Sequence, residues 1–142
     1  MPKRILVMGL PGAGKTTLAQ FILEHLQNAK KQVLWINADD VRAKYNDWDF
    51  SYDGRIRQSL RMCELADSYS CDYVIADFIA PLPEMRLNYA PDCLVWVDTI
   101  KTSRYEDTDK IFVPPEKYDF RITEKSAEVL GEFIALSILD KE

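Results

Sequence analysis

Eight consecutive residues, Gly9-Leu10-Pro11-Gly12-Ala13-Gly14-Lys15-Thr16, are the part of this sequence best suited to chemistry. Their pattern, G-x-x-x-x-G-K-[ST], describes a loop whose backbone N–H groups cup phosphate oxygens, with a lysine to reach the β- and γ-phosphates and a hydroxyl for magnesium. Glycines let the loop turn its amides inward, and a helix starting at its end would aim the positive pole of its dipole at the same anion. Gly9, Gly12, Ala13, Gly14, Lys15 and Thr16 are therefore the expected nucleotide-binding residues, with Lys15 also catalytic and Thr16 also a magnesium ligand. Thr17, in the first turn of the helix, joins the set. ATP and Mg2+ are the expected cofactors. The pattern speaks for nucleotide binding and leaves the reaction type open.

Phosphoryl transfer also needs a carboxylate to organise the metal or the nucleophile. Two strand ends offer one: Asp39 or Asp40 after the second apolar run, and Asp77 after the third. Asp77 closes Tyr73-Val74-Ile75-Ala76 in the four-apolar-then-acid form of a Walker B strand, although an Asp there could instead cap the next segment. Asp98 ends the fourth run and reads as structural. Arg42, Arg55 and Arg86 are expected near the same edge, where guanidinium groups suit sulfate or phosphate and so suggest an anionic acceptor. Arg57 and Arg61 read as solvated helix charges. Phe50, between Trp48 and Tyr52, suits stacking on a purine, with core packing as the plainer alternative.

These residues need elements to hold them, and apolar runs alternate with helical patterns along the chain. Ile5–Met8, Val33–Ile36, Tyr73–Ala76, Cys93–Val97 and Phe120–Ile122 read as strands. Thr16–Leu26, Asp53–Tyr69, Glu84–Tyr89 and Ser126–Leu139 read as helices. Strands apolar on both faces imply a parallel sheet covered by helices, an α/β fold. Residues 99–118 lack periodicity and are expected to form a lid or substrate loop.

At 142 residues the chain is read as a single domain spanning 1–142. Its 18 Lys and Arg against 23 Asp and Glu leave a charge of −5, whereas a protein gripping a nucleic-acid polymer would usually be basic. Cys63, Cys71 and Cys93 lack the spacing of a disulfide framework or a zinc site. Neither a signal segment nor a membrane span is legible, so a cytoplasmic protein with no membrane partner is expected.

In order along the chain, Gly9 to Thr17, Asn37-Ala38-Asp39-Asp40-Val41-Arg42, Phe50-Ser51, Arg55 with Gln58, and Phe78-Ile79-Ala80-Pro81 with Arg86 resemble the adenylylsulfate kinase family. The resemblance covers most of the sequence. It implies a three-layer αβα P-loop NTPase fold with a five-stranded parallel sheet in the order 2-3-1-4-5. It also implies transfer of the γ-phosphoryl group of MgATP to the 3′-hydroxyl of adenylyl sulfate, a step of sulfate assimilation. On this resemblance Asp39 takes the family's base and metal-organising aspartate, and Arg42 its substrate arginine. Phe50, Arg55 and Gln58 fall on residues that stack on the substrate adenine and bind its anionic portion, with Gln in place of the family's Asn. Ile79 and Pro81 fall in its I-S-P segment. The serine some members phosphorylate is Ala80 here, which implies direct transfer.

The main departure follows Val97-Asp98-Thr99, where most of the family's long lid is missing. In the shortened lid the resemblance sets Arg104 over the ATP adenine and Phe112 on the far side of a substrate clamp. The expected partner is a small anionic molecule, with a homodimer left open. Two other readings stand beside this one: a P-loop kinase for another small molecule, such as a nucleotide, sugar acid or antibiotic, and a nucleotide-binding switch without transfer activity.

Overall fold

The computed structural model describes residues 2–142. Strand β1 (Lys3–Met8), buried over its last five residues and apolar over its last four, occupies the centre of the sheet. It pairs in parallel with β3 (Tyr73–Asp77) on one side and β4 (Cys93–Val97) on the other; β2 (Val33–Asn37) and β5 (Phe120–Ile122) form the edges. The resulting order is β2-β3-β1-β4-β5, as the family resemblance implied.

Alternation along the strands divides the core into two layers. Ile5, Val7, Ile75, Val95 and Val97 face helices α1 (Lys15–Asn28) and α6 (Ala127–Asp140), meeting Leu18, Ile22, Leu26, Ile134 and Ile138. Leu6, Met8, Val74 and Ala76 face the other way, onto Met62 and Ala66 of α3 (Tyr52–Asp67) and Met85 and Tyr89 of α4 (Pro83–Tyr89). Helices on both faces leave the carboxyl ends of the parallel strands open along one edge, where ligands bind in such folds.

Two helices lie outside the sequence reading. Helix α2 (Ala38–Tyr45) begins directly after β2. Its start is set by polar chemistry: the Asn37 side chain accepts from the Asp40 amide, and Asp39 and Asp40 occupy the first turn. Helix α5 (Glu106–Ile111) stands inside the stretch 99–118 expected to be a loop. It has acidic residues in its first turn and Lys110 in its last, and buries only Thr108, so it carries no apolar stripe to read. Among the described residues no helix is long and apolar enough to cross a membrane.

Candidate active site

Loop 9–14 carries the chain from β1 into α1. Gly12 and Gly14 adopt φ of +84° and +102°, conformations that a side chain disfavours. Gly14 caps α1 without any side-chain hydrogen bond, and the first helical turn holds no acidic residue. The positive end of a 14-residue helix is thus left without an internal counter-charge. The loop is braced from beneath: Thr99 Oγ1 donates to the Ala13 carbonyl at 2.6 Å and Lys125 Nζ to that of Gly12 at 3.1 Å.

Above this loop lies a cavity of about 1000 Å³, running from Gly12 and Gly14 across the sheet edge to Arg55 and Thr108. Register sets its floor, because Asn37 and Asp77 are paired positions at the ends of β2 and β3. Asn37 Nδ2 donates to both oxygens of Asp77 at 3.1 and 3.2 Å, and Trp35 Nε1 donates at 2.6 Å. Thr16 Oγ1 donates to the same carboxylate at 3.3 Å. Asp77 is thereby held rigidly, and its burial pushes the carboxyl up to about 6 despite the opposing pull of these donors and of Lys15. Lys15 Nζ folds back to the Leu10 carbonyl at 3.0 Å. Burial lowers its ammonium to about 8, an effect that the charges of Asp77 and Asp39 oppose. Asp39 itself is exposed and lines the cavity.

At the far end Arg42 and Arg55 are each 5% exposed. Arg42 Nη1 donates to the carbonyls of Asp47 and Asp49, while Arg55 donates through Nε to the Phe50 carbonyl at 2.8 Å and through Nη2 to Thr108 Oγ1 at 2.8 Å. Both guanidinium carbons lie over the Phe50 ring, at 4.1 and 5.4 Å from its centroid. Among the described residues neither arginine has an ion-pair partner. Burial lowers both below the usual arginine value, and the charge of Arg55 adds to the lowering of Arg42. Two buried cations without a carboxylate between them are costly unless an anion joins them.

The cavity walls bring together Gly12, Gly14, Lys15, Thr16, Thr17, Asp39, Arg42, Phe50, Arg55, Gln58, Asp77, Ile79, Pro81 and Arg104 of the residues expected from the sequence. Four others lie elsewhere. Gly9 sits against the end of β4, where a Cβ would meet the Val97 carbonyl oxygen at 2.4 Å. Ala13 faces a smaller neighbouring cavity beside Thr99 and Lys125. Arg86 is buried behind the wall, donating to the carbonyls of Ala80 at 2.9 Å and Pro81 at 3.2 Å and to that of Val113. Its burial in this carbonyl cage lowers the guanidinium to about 10. Phe112 packs near that guanidinium, 5.6 Å from ring centroid to carbon, against the α3–α4 core layer.

Several participants were not singled out from the sequence. Trp35 reads as a strand residue, yet its indole N–H fixes Asp77. Asn37 both holds Asp77 and caps α2. The signal for it was the cap position before Asp39-Asp40; Thr108, on an unpatterned six-residue helix, had none.

Comparisons with known proteins bear on the family and the fold. The family model "Adenylylsulphate kinase" matches residues 1–94. The chain belongs to the adenylylsulfate kinase family. This is a family of ATP-dependent phosphotransferases. Among solved structures, an adenylylsulfate kinase of Mycobacterium tuberculosis in complex with AMPPNP and APS superposes with a TM-score of 0.81 at 19% identity, covering 98% of each chain. A shikimate kinase of Acinetobacter baumannii in complex with shikimate gives 0.66 at 18% identity, covering 100% of this chain and 96% of its own. A cytidine diphosphoramidate kinase of Campylobacter jejuni is 31% identical over 65 residues, 46% of this chain. That match spans 38% of the Campylobacter protein, well under half its length. Adenylylsulfate kinase family membership thus stands beside a sequence relative named for a different acceptor.

Proposed function

We propose that this protein transfers the γ-phosphoryl group of ATP to a hydroxyl on a small anionic acceptor, most directly the 3′-hydroxyl of adenylyl sulfate. The observation that carries the reading is the pair Arg42 and Arg55, buried, without a carboxylate partner, and set across one continuous cavity from the phosphate-binding loop. Family membership supports the donor half; the arginine pair supports the anionic acceptor.

In this reading the amides of loop 12–17 hold the β- and γ-phosphates at the start of α1, and Lys15 neutralises charge that builds on the transferring group. The acceptor's anion lies between Arg42 and Arg55, with Ile79 and Pro81 shaping the opposite wall and Arg104 covering the cavity from the lid segment. Asp39, exposed to the cavity and facing Lys15's charge, takes the proton from the acceptor hydroxyl. The acceptor oxygen then bonds to the γ-phosphorus as the bond to the β–γ bridging oxygen breaks, and ADP leaves with that electron pair. Arg86 contributes indirectly, by fixing the carbonyls of Ala80 and Pro81.

The donor set fits magnesium. Thr16 Oγ1 and the Asp77 carboxylate are hard oxygens 3.3 Å apart beside the phosphate loop, with the Asp39 carboxylate on the same cavity wall. Among the described residues no group of three or more His, Cys, Asp or Glu could hold a metal alone. That suits Mg2+, which keeps waters and phosphate oxygens and takes one or two protein ligands. Bound there it would offset the charge of the β- and γ-phosphates. Together these assignments describe a kinase of small molecules.

An ADP-release assay with adenylyl sulfate, cytidine diphosphoramidate, shikimate and gluconate tests the acceptor. Turnover with adenylyl sulfate far above the ATP-only rate is expected. Turnover confined to another acceptor overturns the substrate, and ATP binding without any transfer overturns the enzyme.

The titrations of Asp77 and Lys15 predict a bell-shaped kcat/KM for ATP. Below about 6 Asp77 takes up a proton and weakens the Thr16 site; above about 8 Lys15 loses the charge that meets the phosphates. Each limb therefore falls away from a plateau near neutrality. A kcat/KM profile flat from about pH 5 to 9 contradicts these roles.

A further inference from the structure

The loop between α2 and α3 carries Trp48 and Phe50 into the cavity wall, and what holds that loop is an ionic clamp on its outer side. Asp47 Oδ2 accepts from Arg57 Nε and Arg61 Nη1, both at 2.7 Å, and Asp47 Oδ1 accepts from Arg57 Nη2 at 3.0 Å. The other oxygen contacts are local. Asp47 Oδ1 also accepts from the Asp49 amide at 3.2 Å, and Asp49 Oδ2 accepts from Arg57 Nη2 at 3.2 Å. From the cavity side, Arg42 Nη1 holds the carbonyls of the same two aspartates at 3.0 and 3.1 Å.

Backbone geometry commits the loop to this place. Asn46 turns at φ +49° as α2 ends. Gly54 lets the Asp49 backbone lie against the first turn of α3, where a Cβ would sit 2.1 Å from the Asp49 carbonyl oxygen. Arg57 and Arg61 are one helical turn apart, so α3 presents both guanidinium groups on one face. Arg57 is exposed, as its sequence position suggests, and still pairs with Asp47; Arg61 is half-buried in the same pairing.

We propose that Asp47, gripped by Arg57 and Arg61, is a positioning residue for the acceptor site: it fixes the loop whose carbonyls orient Arg42 and whose Phe50 ring backs both arginines. This rests on the acceptor end assigned under Proposed function. The clamp touches none of the phosphate loop, so its loss falls on the acceptor and spares ATP. Arg57 and Arg61 share one carboxylate, so their effects are not additive.

The test measures both Michaelis constants, with adenylyl sulfate as the acceptor probe. Asp47→Asn and Arg61→Gln each raise the KM for adenylyl sulfate by about tenfold or more, the size of loss that small misplacement brings, while the KM for ATP stays within about twofold. Arg61→Lys restores part of the loss, and the Asp47→Asn/Arg61→Gln double variant is no worse than Asp47→Asn alone. Equal rises in both constants indicate a merely structural role and overturn the proposal, as does no change in either. If the wild-type protein does not turn over adenylyl sulfate, the acceptor reading fails and amide hydrogen exchange judges the clamp. Faster exchange confined to residues 47–51 in Asp47→Asn then supports it, and unchanged exchange there overturns it.

Discussion

Lys15→Met is expected to abolish phosphoryl transfer and, at the same time, to make the nucleotide-free protein harder to unfold. The first effect follows from charge. In the proposed function Lys15 meets charge developing in transfer, and removing such a group costs about two to three orders of magnitude in kcat. The second follows from burial. The Lys15 ammonium is lowered to about 8 by desolvation, so near neutrality the folded protein bears the cost of burying a charge that the unfolded chain keeps in water. Methionine retains the volume without the charge. A gain of about 2 kcal/mol at pH 7 is expected after allowance for partial solvent screening. The sign can be checked against pH. Between about 8 and the ordinary lysine value the unfolded chain binds more protons than the folded one, so wild-type stability rises with pH across that window. That rise disappears in Lys15→Met. Denaturant unfolding at pH 7 and pH 10, beside a transfer assay, reads both effects; a variant that is inactive because it is less stable contradicts the account.

Asp39→Asn and Asp77→Asn are expected to fail in different ways. Asp39 is exposed on the cavity wall, and Asn there keeps shape while losing the capacity to accept the acceptor's proton. Turnover should fall by about two to four orders of magnitude, far more than ATP binding weakens, with the unfolding midpoint nearly unchanged. Asp77 accepts from Trp35, Asn37 and Thr16. An amide can accept on its oxygen alone, so Asp77→Asn sets an N–H against one of those donors and disturbs the floor of the phosphate site. It should raise the KM for ATP and lower kcat together. Steady-state kinetics in excess magnesium distinguishes the pair. The reverse pattern, with ATP affinity lost in Asp39→Asn and spared in Asp77→Asn, exchanges the two roles.

The parts of this site that the sequence made legible are those where backbone geometry demands particular residue types. The phosphate loop is an instance: Gly12 and Gly14 hold φ values that other residues resist, and β1 and α1 flank them as apolar patterning requires. Four of the strands were legible as apolar runs between polar turns, and the short β5 as the alternation Phe120-Arg121-Ile122. What stayed hidden was set by pairings between distant residues. Trp35 looks like any half-buried strand residue; its partner across the strands is Ile75, and only its side chain, reaching along the sheet edge, brings the indole N–H to Asp77. Arg86 looks like a cavity arginine, and only the carbonyl cage of Ala80, Pro81 and Val113 shows it facing inward. Arg57 and Arg61 look unpartnered until the α2–α3 loop folds back to bring Asp47 onto them. Helices α2 and α5 escaped because capping and end charges, with little apolar periodicity, define them.

The proposed function depends first on the loop from Gly12 to Thr17 acting as a cradle for the phosphates of ATP. Titration calorimetry of ATP into the protein in excess magnesium tests this most directly. Saturable one-to-one binding that Lys15→Met weakens strongly is the predicted result. No heat of binding to wild-type protein, with thermal unfolding unmoved by the nucleotide, would contradict it.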